Sequence, residues 1–365
     1  MKNTLGQSIS VTLFGESHGT AIGAVIDGLS PGVKIDEAYI NERLARRRPS
    51  SSVDTARREP DKYSIVSGVF NGLTTGTPIC IVIPNEDKRS TDYSEMRSIA
   101  RPSHADYTAY LKYHGYEDYR GGGHFSGRIT AALVAAGAIA ETALKPLGIS
   151  LATHIKYCGG VSDCDFDNTQ NDIKELKNKN FPVLSDCEND MVAAIEAAKS
   201  ECDSIGGTVE TAIAGMPGGV GEPWFDSVES MISHAVFSIG GIKGIEFGSG
   251  FAFADMKGST ANDAFRTDGS TVLTETNHNG GINGGITNGM PIIFRCAVKP
   301  TPSISKEQNT VDFIKNENTM LSARGRHDPA IIRRICPVID AVTALTLCDM
   351  LASRYGTDVF LKGIK

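Results

Sequence analysis

The residues best suited to chemistry are gathered in a few short loops. The chain holds eight histidines, and four of them, His18, His104, His124 and His327, stand in segments dense in arginine or glycine. An imidazole changes charge near neutral pH, so it can give or take a proton at a reacting group. An arginine presents planar donors that match the oxygens of phosphate and carboxylate. Loops that combine the two suit a small phosphorylated ligand whose reaction moves a proton.

The first segment is Gly15-Glu16-Ser17-His18-Gly19. Flanking glycines let the backbone turn and expose the residues between them. On a strand, adjacent side chains point to opposite faces, so Ser17 and His18 do not read as a nucleophile with its base. Alone, His18 is equally well explained as a hydrogen-bonded turn residue. Arg46-Arg47-Arg48-Pro49-Ser50, with Arg57-Arg58 behind it, repels itself unless anions or carboxylates offset the charge. A solvated face paired with Glu59 and Asp61 accounts for that segment by itself.

Arg101-Pro102-Ser103-His104-Ala105-Asp106 sets a histidine two residues from a carboxylate on a loop stiffened by Pro102. Arg120-Gly121-Gly122-Gly123-His124-Phe125-Ser126-Gly127-Arg128 enters an apolar helix, and a helix N-terminus after a glycine-rich loop is a ready anion site. It fits neither the dinucleotide pattern Gly-x-Gly-x-x-Gly nor the phosphate loop that needs Gly-Lys-Ser/Thr. Later come Gly280-Gly281-Ile282-Asn283-Gly284-Gly285, Lys299-Pro300-Thr301-Pro302-Ser303 and Arg324-Gly325-Arg326-His327-Asp328-Pro329. The glycine segment alone reads best as a structural turn. The other two set cations, hydroxyls, an imidazole and a carboxylate on stiff loops. No single segment decides the matter; their crowding points to one pocket for phosphorylated ligands.

The elements that must carry these loops are mixed. Period-2 alternation predicts strands over Gln7–Phe14, Ala24–Asp27 and Ile79–Ile83, with further strands at Gly207–Ala214, Gly244–Phe247 and Pro291–Val298. Helices are predicted over Asp36–Arg48, with Asp36 as cap, Ile129–Leu147, Ser185–Lys199 and Ala330–Ser353, the last with a kink at Pro337. Alanine on every face of Ile129–Leu147 predicts a buried, closely packed helix. Strands and helices do not alternate regularly, which favours α+β over a doubly wound parallel sheet. Each half has a glycine-rich stretch, a basic motif and an apolar helix, a loose echo of duplication.

Composition bounds the rest. The 365 residues are 40% hydrophobic and 22% charged, ordinary globular usage, in one large domain or two smaller ones. A net charge of −7 disfavours a general nucleic-acid binder. The eight cysteines form no Cys-x-x-Cys pair, so free thiols in a reducing compartment are expected rather than a metal or redox site. No secretory region opens the chain, and no apolar run reaches a membrane-spanning length. A cytoplasmic enzyme is the expectation, with no membrane partner.

Taken together, the Gly-Glu-Ser-His-Gly, Arg-Pro-x-His-Ala-Asp and Gly-Arg-His-Asp-Pro segments resemble the chorismate synthase family, nearly end to end. Arg58-Glu59-Pro60-Asp61 and Asp118-Tyr119-Arg120-Gly121-Gly122-Gly123 match as well. The resemblance implies a single-domain β-α-β sandwich over residues 1–365, helices between two antiparallel sheets, assembled as a homotetramer. It implies a 1,4-anti elimination of phosphate from 5-enolpyruvylshikimate 3-phosphate to give chorismate. Reduced FMN is required with no net redox change: it lends electron density as phosphate leaves, and its N5 takes the ring proton.

The resemblance also implies roles. His18 is the acid for the leaving phosphate, and His104 sets the protonation of the reduced flavin. Asp328, with Ser17 and Ser126, forms the relay that lets the flavin act as a base. Arg47, Arg48, Arg128 and Arg326 meet the substrate's anions. His124, Phe125, Ser126, Gly240, Gly241, Gly284, Lys299, Pro300, Thr301, Pro302, Ser303 and Arg326 hold the flavin, and Arg47 is linked to NADPH in some members. An acidic chain can serve such anions by concentrating cations in one pocket.

This chain departs from the family at several positions. His124-Phe125-Ser126-Gly127-Arg128 replaces Arg-Ser-Ser-Ala-Arg, and Pro302 replaces a serine. Val53 stands where many members carry a second arginine associated with NADPH, which leaves a separate flavin reductase as the other source of electrons. A flavin-dependent oxidoreductase acting on an anionic metabolite is one alternative reading. A non-catalytic flavin- or phosphometabolite-binding protein is another, although a binder needs no proton relay.

Overall fold

The computed structural model describes residues 2–50, 53–54, 59–86, 97–323 and 328–364. Two five-stranded antiparallel sheets enclose a layer of helices. The first sheet comprises β1 (Thr4–Leu5), β2 (Ser10–Gly15), β3 (Ala21–Asp27), β4 (Ser64–Ser67) and β5 (Ile79–Pro84), in the order β1-β2-β3-β5-β4. The second comprises β6 (Ser150–Cys158), β7 (Val161–Ser162), β8 (Gly207–Ala214), β9 (Ile242–Phe247) and β10 (Ile292–Val298), in the order β9-β10-β8-β6-β7.

Period-2 patterning fixes which face of each sheet is apolar. Ile22, Ala24 and Ile26 of β3 pair directly with Ile83, Ile81 and Ile79 of β5, and all six are buried. In the second sheet Val209 and Ile213 face Cys296 and Ile292. A one-residue slip would turn these side chains outward, so burial sets the register.

The helices are α1 (Glu37–Arg47), α2 (Asp106–Tyr113), α3 (Thr130–Leu144), α4 (Thr169–Leu176), α5 (Glu188–Ser200), α6 (Val228–Val236) and α7 (Ile332–Tyr355). Asp36 caps α1, its carboxylate accepting from the Tyr39 N–H at 3.0 Å. Helix α3 lies against the first sheet, α7 against the second, and the two pack on each other. At their crossing an added Cβ on Gly137 would lie 2.2 Å from the Ala341 Cβ, so only glycine admits this approach. Each half thus supplies one sheet and one long apolar helix.

Pro337 sits inside α7, and the helix continues through it as one element. One expectation needs correction: the segments Gly127–Leu147 and Ile332–Tyr355 are each long and apolar enough to cross a bilayer. The physical reason lies in packing, because 83% and 100% of their apolar windows are buried inside the chain, where a two-sided core demands the same composition.

One set of charged groups crosses this apolar layer as a paired network. Arg43 of α1 is buried, 3.0 Å from Glu141 of α3 and 2.5 Å from Asp340 of α7. Tyr39 donates to Glu141 at 2.5 Å, and Thr153 of β6 donates to Asp340 at 2.6 Å. A second network lies on the outer face of the second sheet, where His154 contacts Asp163 at 2.8 Å and Glu210 at 3.2 Å. Arg295 continues it, 3.0 Å from Glu210 and 2.7 Å from Glu246.

Candidate active site

Strand β2 ends at Gly15, and the turn after it carries Ser17 and His18, both buried. The Ser17 N–H donates to the Gly123 carbonyl at 3.0 Å, tying this turn to the glycine-rich loop. Gly121 has φ +58°, and an added Cβ there would lie 2.3 Å from His18 Cε1 and 3.1 Å from Ser17 Oγ. Both side chains therefore face one loop. The expectation of opposite faces assumed extended backbone, and the chain turns here instead. At the next residue, Gly122, an added Cβ would lie 3.2 Å from His104 Cε1 and 3.4 Å from its Nε2. Successive glycines thus separate two histidines that lie far apart in sequence.

His104 is oriented by the carboxylate that opens α2. Asp106 accepts from the Arg101 backbone N–H at 3.0 Å, from Arg101 Nε at 2.8 Å and from Arg101 Nη2 at 2.7 Å. His104 Nδ1 lies 2.7 Å from Asp106 Oδ1 and 3.1 Å from Arg101 Nη2. Arg101 already donates to Asp106, so the shorter carboxylate contact makes Nδ1 a donor. Nε2, beside Gly122, is then the ring nitrogen left to exchange a proton. Burial alone would raise the Asp106 carboxyl, but hydrogen bonds from Arg101 and His104 hold it well below the usual carboxylate range.

This loop rests on the segment expected to hold a cofactor. Lys299 Nζ donates to the Ser103 carbonyl at 2.6 Å, and Arg101 Nη1 donates to Ser303 Oγ at 3.4 Å. The Lys299 N–H donates to the Gly241 carbonyl at 2.9 Å, which brings Gly240 and Gly241 alongside. An added Cβ on Gly240 would meet nothing within 4 Å, so that side is open. Burial and the nearby Lys243 charge lower the Lys299 pKa. Among the described residues, Thr301 Oγ1 is buried and meets no hydrogen-bond partner. Pro300 is exposed, and Pro302 is half-buried. A cation and an unmet hydroxyl on one loop, with an open glycine backbone from a second loop beside them, fit an anionic, flat cofactor.

The remaining expected residues are placed unequally. His124 Nδ1 lies 2.8 Å from the Gly15 carbonyl, so this imidazole braces the end of β2. Phe125 is exposed, meets Tyr113 edge-on at 6.1 Å, and lines an open cleft with Arg101, His104 and Gly122. Ser126 Oγ accepts from the Arg128 N–H at 3.3 Å, capping the turn that leads into α3. Gly284 lies elsewhere in the chain. Its hairpin sits at the Ile292 end of β10, whereas Lys299 and Gly241 sit at the Val298 end. Seven residues at about 3.3 Å each put roughly 20 Å between those ends. Arg326 and His327 lie outside the described residues.

The arginines of the expected substrate region turn largely inward. Arg47 is buried: its Nε donates to Thr130 Oγ1 at 3.0 Å, its Nη2 to the Gly127 carbonyl at 3.3 Å, and its Nη1 lies 3.5 Å from Asp61. Burial lowers its pKa; Asp61 opposes that, and Arg334 and Arg128 add to it. Arg128 pairs with Asp61 and donates to Asn85 Oδ1 at 3.0 Å and the Pro84 carbonyl at 3.2 Å. Arg48 donates to the Pro60 carbonyl at 3.1 Å, and its buried Nε meets no partner among the described residues. Arg334 Nη1 pairs with Asp328 at 2.6 Å while its Nε donates to the Arg47 carbonyl at 2.9 Å, which sets Asp328 beside this network. Val53 is buried in the core.

Asn85, Asp61 and Arg334 escaped the sequence reading as site-forming residues. The one available signal for Asn85 was a polar residue after Pro84, which ends the apolar run Ile79–Ile83.

Comparison with known proteins bears on the fold and the family. The chorismate synthase family profile matches residues 9–352. The chain is 48% identical over 359 residues to the chorismate synthase of Chitinophaga pinensis, covering 98% of this chain and 99% of that one. It is 45% identical over 355 residues to the chorismate synthase of Aeropyrum pernix, covering 97% and 93%. A solved chorismate synthase crystal structure superposes with a TM-score of 0.76 at 27% identity, covering 96% of this chain and 94% of the other. With the fold, the glycine-separated histidines and the whole-length match in agreement, the chain belongs to the chorismate synthase family.

Proposed function

We propose that this chain eliminates phosphate from 5-enolpyruvylshikimate 3-phosphate to give chorismate, in the presence of reduced FMN and without net redox change. The observation that carries the reading is the placement of His18 and His104 on either side of Gly121–Gly122. The carbon–oxygen bond to phosphate and a ring carbon–hydrogen bond both break, and a new carbon–carbon double bond forms. His18, buried in its turn, protonates the departing phosphate. His104, with Nδ1 committed to Asp106, exchanges a proton through Nε2. Ser17 and Ser126 line the same glycine loop.

A flavin, when bound, lends electron density to the breaking bond. Lys299, Thr301 and Ser303, with Gly240 and Gly241, would hold it, together with Phe125 and His124. Arg48 and Arg326 would meet substrate anions. Asp328 acts on protons from beside Arg334. Arg47 and Val53 both lie inside the protein, which supports delivery of already reduced FMN by a separate reductase over reduction by NADPH on this chain.

A single domain is supported by one core cluster that runs from Ile9 to Phe360. Trp224, Phe225, Phe251 and Phe265 are 84%, 91%, 83% and 68% exposed on the isolated chain, which supports burial in a homotetramer. All eight cysteines are free thiols, in keeping with a cytoplasmic setting.

The test is an anaerobic assay with chemically reduced FMN and enolpyruvylshikimate phosphate, reading phosphate and chorismate together. Equal amounts of both are expected; release of neither refutes the proposal. Repeating it in air with NADPH and oxidised FMN is expected to give no turnover until a reductase is added.

A further inference from the structure

Asn85 follows β5 directly and is buried. Its Nδ2 donates to the Glu16 carbonyl at 2.9 Å and to the Gly19 carbonyl at 3.0 Å. Its Oδ1 accepts from Arg128 Nε at 3.0 Å. The amide orientation is chemically forced, because a guanidinium can only donate and a carbonyl can only accept. One side chain therefore grips both sides of the turn that carries Ser17 and His18. Behind it, Arg128 pairs with Asp61, Asp61 faces Arg47, and the Arg47 carbonyl accepts from Arg334, which pairs with Asp328.

We infer that Asn85 is a positioning residue for His18: it clamps the Gly15–Gly19 turn and anchors it to the buried Arg128–Asp61–Arg47 network. The inference deepens the proposed function and rests on His18 acting in that reaction. Asn85 touches no reacting atom. It acts by holding two carbonyls whose displacement would move the imidazole. The Ser17 N–H bond to the Gly123 carbonyl fixes the turn on the glycine-loop side, and Asn85 fixes it on the side of the buried network. A shift of about 1 Å at a proton donor costs on the order of 100-fold in rate.

Two variants separate the clamp from the network. Asn85→Asp keeps an acceptor for Arg128 but sets an oxygen against the Glu16 and Gly19 carbonyls. Asn85→Ala removes both contacts. Each is compared with wild type by the NMR titration of the His18 imidazole and by phosphate release with reduced FMN. For both variants a displaced His18 titration midpoint is expected, with kcat lower by roughly 100-fold and KM and flavin affinity within about threefold. A folded Asn85→Asp variant with the wild-type His18 midpoint and kcat overturns the inference, as does a defect confined to Asn85→Ala. If Asn85→Ala fails to fold, Asn85→Asp decides alone. If wild type itself releases no phosphate, the functional reading fails, and the His18 titration still decides whether Asn85 positions the ring.

Discussion

Gly121 passes so close to His18 that a single added methyl would lie 2.3 Å from the imidazole Cε1 and 2.5 Å from Nδ1. The backbone there has φ +58°, a conformation that side chains other than glycine rarely adopt. Gly121→Ala should therefore displace the ring rather than merely loosen the loop. We expect kcat for phosphate release to fall roughly 100-fold. Thermal stability should fall far less, since the loop lies outside the main core. Activity within a few-fold of wild type would show that the His18 ring is not held by this loop.

Asp106 orients His104 through Nδ1 and accepts three donors from Arg101. Asp106→Asn keeps the shape but removes the charge, so the preference of Nδ1 for its proton weakens. Turnover should fall and its pH profile should move, with flavin affinity largely kept. The stability term has a definite sign. The folded carboxyl titrates below its unfolded value, so its contribution is present above about pH 4 and is lost as pH falls through the folded value. Urea unfolding of both proteins between about pH 3 and 7 should show the difference constant above the unfolded value and beginning to shrink below it.

His154 behaves oppositely. Burial alone would lower its pKa, but hydrogen bonds to Asp163 and Glu210 raise it. A raised value means that its stabilising contribution is complete below about pH 6.5 and is lost as pH rises through the folded value. The stability gap between wild type and His154→Gln should be widest at mildly acidic pH and narrow on the alkaline side. A gap independent of pH would show that folding leaves the imidazole's pKa unchanged.

Arg43 bridges Glu141 and Asp340 inside the helix layer, while Lys177 reaches Glu141 at 3.6 Å. Removing one partner of such a buried set leaves uncompensated charge, which costs about 3–5 kcal/mol. Arg43→Met should lower unfolding free energy by that order in denaturant titration. The double variant with Asp340→Leu should recover part of the loss, because one of the stranded charges is then gone.

Much of this molecule was legible in its residues. Alternating isoleucines announced β3 and β5, Asp36 announced the start of α1, and alanine on every face announced that α3 is enclosed. These signals are local: a strand or helix repeats its pattern within a few residues, and burial on one or all faces sets that pattern. The crowding of His18, His104, His124 and Lys299 into polar loops was legible for the same reason. So was the whole-length likeness to one family.

The destination of each side chain was not legible. Arg47 and Arg128 stand in the sequence as candidate anion binders, yet their donors go to Asp61, Thr130, Asn85 and backbone carbonyls. Ser17 and His18 share a loop because the chain turns after Gly15, and Gly284 falls at the far end of β10 from Lys299. A guanidinium or amide accepts whichever partner the fold brings within about 3 Å, and those partners come from remote segments. Residue types determined which chemistry this chain can perform; only the tertiary contacts decided which groups face the ligand and which, like Asn85, hold them in place.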